Sequence, residues 1–372
     1  MRKVTSVERV EAIIGTPAHY ILMKVTHTLD EGCRAVLANS PIAGFGYRDR
    51  AGAPHTTLVG GVAGFARVES KTQLSFELPA DDVGPETGSG VSFVFLLPGV
   101  GETLRLNGTV DELSDSRVVV KLGEAYVHCA RCIYRSKLWE DGKSDPISGV
   151  ESPASGGVET RGPLSDPAVA EFLASAHFAF VSSWDAGGAG DTSPKGDPPG
   201  FIRILDGQTL AIPDRRGNKR ADTFHNLVTC DQLSIAALAP ERVEVLHLSG
   251  TAFITDDAAI LSQMALRGKP PHAALIVRVG SAQIKPNEAV RRSNMWDRSA
   301  RGDVSGAIDL NQVAAQHMAS NKARGGKAAL GRVLSKGLSS VPKKLLRRVM
   351  DRAYRKELKD EGYETDADRP RQ

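Results

Sequence analysis

The chain repeats itself, and the repeat limits its possible folds more tightly than composition does. Without gaps, residues 55–67 align on residues 191–203, so that Thr56, Gly60, Gly64, Phe65 and Arg67 meet Thr192, Gly196, Gly200, Phe201 and Arg203. After a small insertion, Leu96, Pro98, Glu102, Leu104, Leu106, Gly108 and Thr109 fall on Leu238, Pro240, Glu244, Leu246, Leu248, Gly250 and Thr251. Both copies close alike, with Arg135-Ser136-Lys137-Leu138-Trp139 against Arg292-Ser293-Asn294-Met295-Trp296. At 372 residues the chain also exceeds the usual size of a single core. Two tandem copies of one unit follow.

Each copy opens with a helical pattern, Leu29 to Leu37 and Val169 to Leu173, and continues as short alternating segments divided by Gly, Pro and Asp. In RLNG and LHLSG, Leu104 and Leu106, or Leu246 and Leu248, face one side, with Arg105 or His247 on the other. No helix between the strands is long enough for a parallel crossover, so the pattern predicts a mainly β chain of antiparallel barrels with flanking helices. The first unit is expected over 1–140 and a Gly/Ser/Pro/Glu-rich linker over 141–162. The second unit is expected over 163–300 and a basic helical tail over 301–372.

Hydrophobic content of 41% and charge of 24% are those of a globular protein with a real core. The N-terminus has no apolar h-region, and no stretch reaches the roughly 18 apolar residues of a membrane span, so a soluble cytoplasmic protein is expected. Four cysteines, Cys33, Cys129, Cys132 and Cys230, are too few for a disulfide framework. Cys129 and Cys132 read as packing thiols; a redox dithiol or half a zinc site are the alternatives, and no second CxxC supplies the missing ligands. His128 and His247 read as structural before catalytic, and Trp139 and Trp296, duplicated at equivalent positions, read as packing residues.

The copies differ most after the third strand. Copy one reads ELPADDVGPETGSG, with Asp81 and Asp82 and no cation, whereas copy two gathers Arg215, Arg216, Lys219 and Arg220 around a Gly217-Asn218 turn just before a predicted helix. Helix amides together with guanidinium donors suit a phosphate dianion. Ser193 and Lys195 from the preceding strand, with Thr223 and Asn226 on the helix, complete the candidate site.

The segments SPKGDPPGF, LAIPDRRGNKRADTFHNL and LSGTA resemble the pyridoxamine 5'-phosphate oxidase-related, FMN-binding split-barrel proteins of bacteria. Copy one, through GFARV, FLLPGVGETLRLNG and EAYVHCARCIYRSKLW, is similar to the same family more loosely, so the resemblance spans about residues 25 to 300. It implies a pseudo-dimer of two split barrels with FMN between them, the phosphate on Ser193, Lys195, Arg215, Arg216, Asn218, Lys219, Arg220, Thr223 and Asn226, and one cofactor per chain. The expected function is a flavin-dependent oxidoreductase acting on a small molecule, with haem or the deazaflavin F420 as alternative cofactors. The C-terminal Arg-containing substrate motif of true pyridoxamine-phosphate oxidases has no match here, which weighs against vitamin B6 oxidation.

From Lys322 to Lys356 the tail is strongly basic, and Leu345, Leu346, Val349, Met350, Ala353, Tyr354 and Leu358 form an apolar stripe on a helix opened by Ser339 or Ser340 and Pro342. The stripe is expected to pack on the barrels or on a second subunit of a homodimer. Nucleic acid or an anionic membrane is the alternative partner, in a non-catalytic binding protein. The closing EGYETDADRPRQ is expected to fray.

Overall fold

The computed structural model describes residues 1–79, 82–140, 161–297, 299, 308–322 and 343–363, with only the backbone described over 343–351, so the side chains of Leu345, Leu346, Val349 and Met350 lie outside it. Most of the linker expected over 141–162, Asp81, and the helix-opening segment with Ser339, Ser340 and Pro342 also lie outside the described residues. One sheet contains β1 (Ile42–Arg48), β2 (Pro54–Gly60), β3 (Arg67–Val68), β4 (Gln73–Glu77), β5 (Gly90–Leu96), β6 (Thr103–Ser114) and β7 (Arg117–His128). The other contains β8 (Phe178–Trp184), β9 (Gly190–Gly196), β10 (Arg203–Ile204), β11 (Thr209–Asp214), β12 (Gln232–Leu238), β13 (Glu244–Thr255) and β14 (Ala273–Pro286). The two seven-stranded orders, β2-β1-β5-β6-β7-β4-β3 and β10-β11-β14-β13-β12-β8-β9, trace one topology from opposite edges. The expected mainly β fold of two tandem split barrels is borne out.

The repeat extends to irregularities. Pairing slips between Asn107 and Gly108 in β6 and between Ser249 and Gly250 in β13. A Cβ at Gly108 would overlap the Lys121 carbonyl and one at Gly250 the Arg278 carbonyl, so the matched glycines are steric requirements of the bulge.

Helices α1 (Val7–Ile14), α2 (His19–Leu22) and α3 (Glu31–Asn39) precede the first sheet, and α4 (Arg131–Ser136) follows it. In the second unit α5 (Pro167–Ser175), α6 (Asp222–Thr229), α7 (Ala258–Gln263) and α8 (Glu288–Ser293) punctuate the strands. The helix that opens each copy is capped by an aspartate: Asp30 accepts from the Cys33 amide at 2.9 Å and Asp166 from the Ala168 amide at 2.9 Å.

The strands between the units bury both faces. In β1, Ala43, Phe45 and Tyr47 enter the first unit's core while Ile42 faces the other unit. In β8, Ala179 and Val181 turn inward while Phe178 and Phe180 face unit one. Val94 and Leu96 of β5 and Ala236 and Leu238 of β12 belong to the same shared layer. Burying a side chain such as Phe178 or Phe180 contributes about 1.5–3 kcal/mol, so the layer couples the units energetically as well as geometrically. Gly44 makes close approach possible, because any Cβ there would occupy the Phe180 ring.

Each unit's core is completed from a distant part of the chain. Val4 and Val10, within the span expected to form the first unit, pack into the second core, and Arg2 and Arg9 pair with Asp256. Ile308, Leu310, Val313 and Ala314, from the start of the tail, pack into the first core. The last helix, Lys343–Asp360, places Tyr354 and Leu358 in the interior; Leu358 and Tyr363 cluster with Leu266, against Tyr134. Its stripe thus packs on the barrels at these positions, although Ala353 is exposed. Glu361 and Tyr363 do not fray: Glu361 pairs with Arg135 and the buried Tyr363 hydroxyl donates to Asp197. No described helix is long and apolar enough to cross a membrane.

Candidate functional site

A cleft of about 100 Å³ lies between the units, lined from unit two by β9, the β11–α6 loop and the start of α6, and from unit one by Arg105, His128, Cys129, Arg131, Cys132 and Arg135. It adjoins a second space of about 420 Å³ that shares Ile14, Arg131, Gly217 and Lys219 and is bounded by Glu357, Asp360 and Glu361. Joined, the two reach the ~300–1,000 Å³ of small-molecule sites.

Local structure aims the loop. Alternation along β9 sends Asp191, Ser193 and Lys195 to one side. The turn reverses at Lys219 (φ 62°) and Ala221 (φ 56°), with Asn218 Oδ1 accepting from the Arg220 amide at 3.0 Å. The N-terminus of α6 has no side-chain cap, and the Phe224 and His225 amides both donate to the Ala221 carbonyl.

Seven cations line the cleft, and six are already paired. Arg105 bonds Asp191 and approaches Asp222 at 3.7 Å; Lys195 bonds Asp214; Arg215 Nε donates to Asp197 at 2.8 Å. Arg220 donates to Asp222 at 2.9 Å and Glu124 at 3.0 Å while lying 4.0 Å over the Tyr126 ring. From unit one, Arg131 pairs with Glu357 and Arg135 with Glu361, each at 2.6 Å. Of these seven, Lys219 alone has no ion-pair partner among the described residues.

Burial opposes ionisation of Asp214, but the Lys195 ammonium and His272 outweigh it and hold the carboxyl well below its usual range. Burial likewise opposes ionisation of Asp222, and Arg105 and Arg220 prevail. His128 is pushed down to about 3 by burial and by Arg105, which makes it a neutral imidazole. Burial raises the Cys132 thiol to about 12, and all four cysteines are free.

Four buried atoms of this lining have no hydrogen-bond partner: Arg105 Nε, His128 Nδ1, Arg135 Nε and Thr223 Oγ1. Each unsatisfied buried group costs about 1–3 kcal/mol, and four of the ten such atoms among the described residues belong to this lining. Of the nine residues singled out from the sequence, Ser193, Lys195, Arg215, Asn218, Lys219, Arg220 and Thr223 line the cleft. Arg216 is exposed and lines only the adjoining spaces, and Asn226 turns away to donate to Ser183 Oγ at 3.1 Å.

The whole unit-one wall escaped the sequence reading as a cofactor contact. Arg105 had one signal: a lone cation in an otherwise apolar β6 start, where copy two has His247. The closing tryptophans do not reach the cleft; Trp139 donates to the Val100 carbonyl and Trp296 to the Arg242 carbonyl, each at 2.7 Å.

The pseudo-symmetric counterpart is a pocket of about 170 Å³ lined by Tyr47, His55, Thr57, Asp82, His247 and Lys285. His247 stands where the first cleft has Arg105, and His55 where it has Asp191. The Asp82 carboxyl is raised by burial, and the loop that carries it has no cation.

Residues 165–285, within the second unit, match the family model described as pyridoxamine 5'-phosphate oxidase, the family that this part of the sequence resembles. Among solved structures, HupZ of Group A Streptococcus is 22% identical, with a TM-score of 0.27, over 32% of this chain and 98% of its own. A protein of Clostridium acetobutylicum related to general stress protein 26 is 14% identical, with a TM-score of 0.25, over 32% of this chain and 86% of its own. HutZ of Vibrio cholerae, described as a haem storage protein, is 15% identical, with a TM-score of 0.23, over 32% of this chain and 93% of its own. No curated protein sequence matches the chain.

Proposed function

We propose that this tandem pyridoxamine-phosphate-oxidase-like protein binds one FMN in the inter-unit cleft and is an oxidoreductase acting on a small molecule. The observation that carries the reading is the set of four unpartnered buried polar atoms, contributed by both units, beside the β11–α6 loop. With six lining cations already neutralised, the phosphate is held by directed donors more than by net charge: Lys219, the first amides of α6, Thr223 Oγ1, and remaining N–H groups of Arg105 and Arg135. The acidic loop of the counterpart pocket supports one cofactor per chain.

A bound flavin supplies the hydride or electron transfer. The protein's part is binding and exclusion of water. Neutral His128 offers a hydrogen bond without charge, and the C-terminal helix, held by Arg131–Glu357 and Arg135–Glu361, covers the adjoining space. Anions that need Arg131 or Arg135 compete with these two glutamates.

The test is the absorption spectrum of purified protein, followed by titration with FMN and with riboflavin, which lacks the phosphate. One equivalent of FMN, bound at least tenfold more tightly than riboflavin, is expected. A haem Soret band, a deazaflavin spectrum, or indifference to the phosphate would overturn the assignment.

A further inference from the structure

A second cluster of ligating side chains lies outside the cleft lining. His317, on the helix Leu310–Lys322, is 1% exposed and sits against the start of α3. Its Nδ1 is 2.9 Å from the Lys24 carbonyl oxygen. Its Nε2 is 3.0 Å from Asp30 Oδ2 and 3.8 Å from Cys33 Sγ. A carbonyl oxygen can only accept, so Nδ1 carries the proton. Nε2 faces a carboxylate and a sulfur, and a cation held between these three atoms would take its lone pair.

The distances suit a metal ion. With Zn–N and Zn–O of about 2.0–2.1 Å and Zn–S of about 2.3 Å at tetrahedral angles, ligand atoms stand roughly 3.3–3.6 Å apart, between the two distances found here. One ligating atom comes from each of Asp30, Cys33 and His317, all within 4.8 Å of one another. The supporting shell is present as well. The Lys24 carbonyl fixes the imidazole through Nδ1, and the Cys33 amide holds Asp30 Oδ1 at 2.9 Å, which leaves Oδ2 available. The Asp30 side chain is 34% exposed, giving a path for the ion and room for water as a fourth ligand.

We propose that Asp30, Cys33 and His317 bind one zinc ion, which staples the helix Leu310–Lys322 onto the first barrel. A mixed oxygen, sulfur and nitrogen set favours zinc over magnesium or calcium, which take oxygen ligands. The contact joins residues 284 apart, so the metal ties the tail of the chain to the unit at its other end.

The full-length protein, stripped with a chelator, is titrated with Co²⁺ as a spectroscopic probe and with Zn²⁺. One equivalent of Co²⁺ with thiolate-to-metal charge transfer and the intense visible bands of tetrahedral cobalt is expected, displaced by Zn²⁺. Cys33→Ser and His317→Gln should each abolish the thiolate-bearing tetrahedral site, whereas Cys129→Ser should leave it intact. Saturating Zn²⁺ should raise the Tm of the parent protein and leave that of His317→Gln unchanged. Gln at 317 can still donate to the Lys24 carbonyl, so it carries the test if Cys33→Ser does not fold. Failure to take up either ion stoichiometrically would overturn the proposal, leaving an imidazolium–carboxylate pair. So would a charge-transfer band that survives in His317→Gln or disappears in Cys129→Ser.

Discussion

Replacing Arg220 by Ala separates two accounts of the basic loop. Were Arg220 a solvent-facing loop cation reserved for a ligand, its loss would change stability by about 0.5 kcal/mol or less. In the structure its side chain is 10% exposed, bonds Asp222 on its own unit and Glu124 on the other, and lies over the ring of Tyr126. Truncation leaves Asp222 with Arg105 at 3.7 Å and the Tyr126 hydroxyl at 3.2 Å, and leaves Glu124 without its cation. Breaking a buried pair costs about 3–5 kcal/mol and a cation–π contact contributes about 0.5–2 kcal/mol. Because Asp222 and Glu124 remain 22% and 26% exposed and can be partly resolvated, the expected loss is about 2–4 kcal/mol. Urea unfolding with linear extrapolation measures it, and FMN titration of the same variant should show affinity lower by about tenfold or more. Arg220→Lys, which keeps the charge but not the fork, should recover only part of the stability. A stability loss within about 0.5 kcal/mol, with FMN binding abolished, would refute the bridging role.

Thr223→Val keeps shape and removes an unpartnered buried hydroxyl; stability should hold or rise, while FMN affinity falls by about 0.5–1.5 kcal/mol, and unchanged affinity would take Thr223 out of the site. Gly44→Ala drives a Cβ into Phe180 and should cost about 1–3 kcal/mol; Phe180→Ala in the same chain should offset part of this, and strict additivity in the double-mutant cycle would contradict the contact. His128 and His177, pushed down by burial to about 3 and about 4, stay neutral in the fold while the unfolded chain takes up protons below pH ~6.5. Stability is therefore fully present above that pH and falls as pH drops towards 4, by up to about 1.4 kcal/mol per unit for each histidine. His177→Gln should flatten this slope, and an unaltered slope would show that the group is not responsible.

The repeat by itself determined the architecture. Leu104 and Leu106 opposite Leu246 and Leu248, with Gly108 and Gly250 at the same bulge, dictate one strand pattern twice, because alternation and glycine placement are local requirements. The loop Arg215–Arg220 was legible for a similar reason, as adjacent cations before a helix mark one place on the chain. Tertiary structure alone decided what those cations do. Charge in sequence counts the guanidinium of Arg215 or Arg220 but not its partner, and Asp197, Glu124 and Glu361 reach the cleft from three separate elements. It alone also placed Arg105, His128 and Arg135 opposite the loop, brought residues 4–14 to the second core and seated His317 beside Asp30 and Cys33. Such contacts depend on how the two sheets stack face to face. Period and propensity describe the strands within each sheet and leave that stacking undetermined.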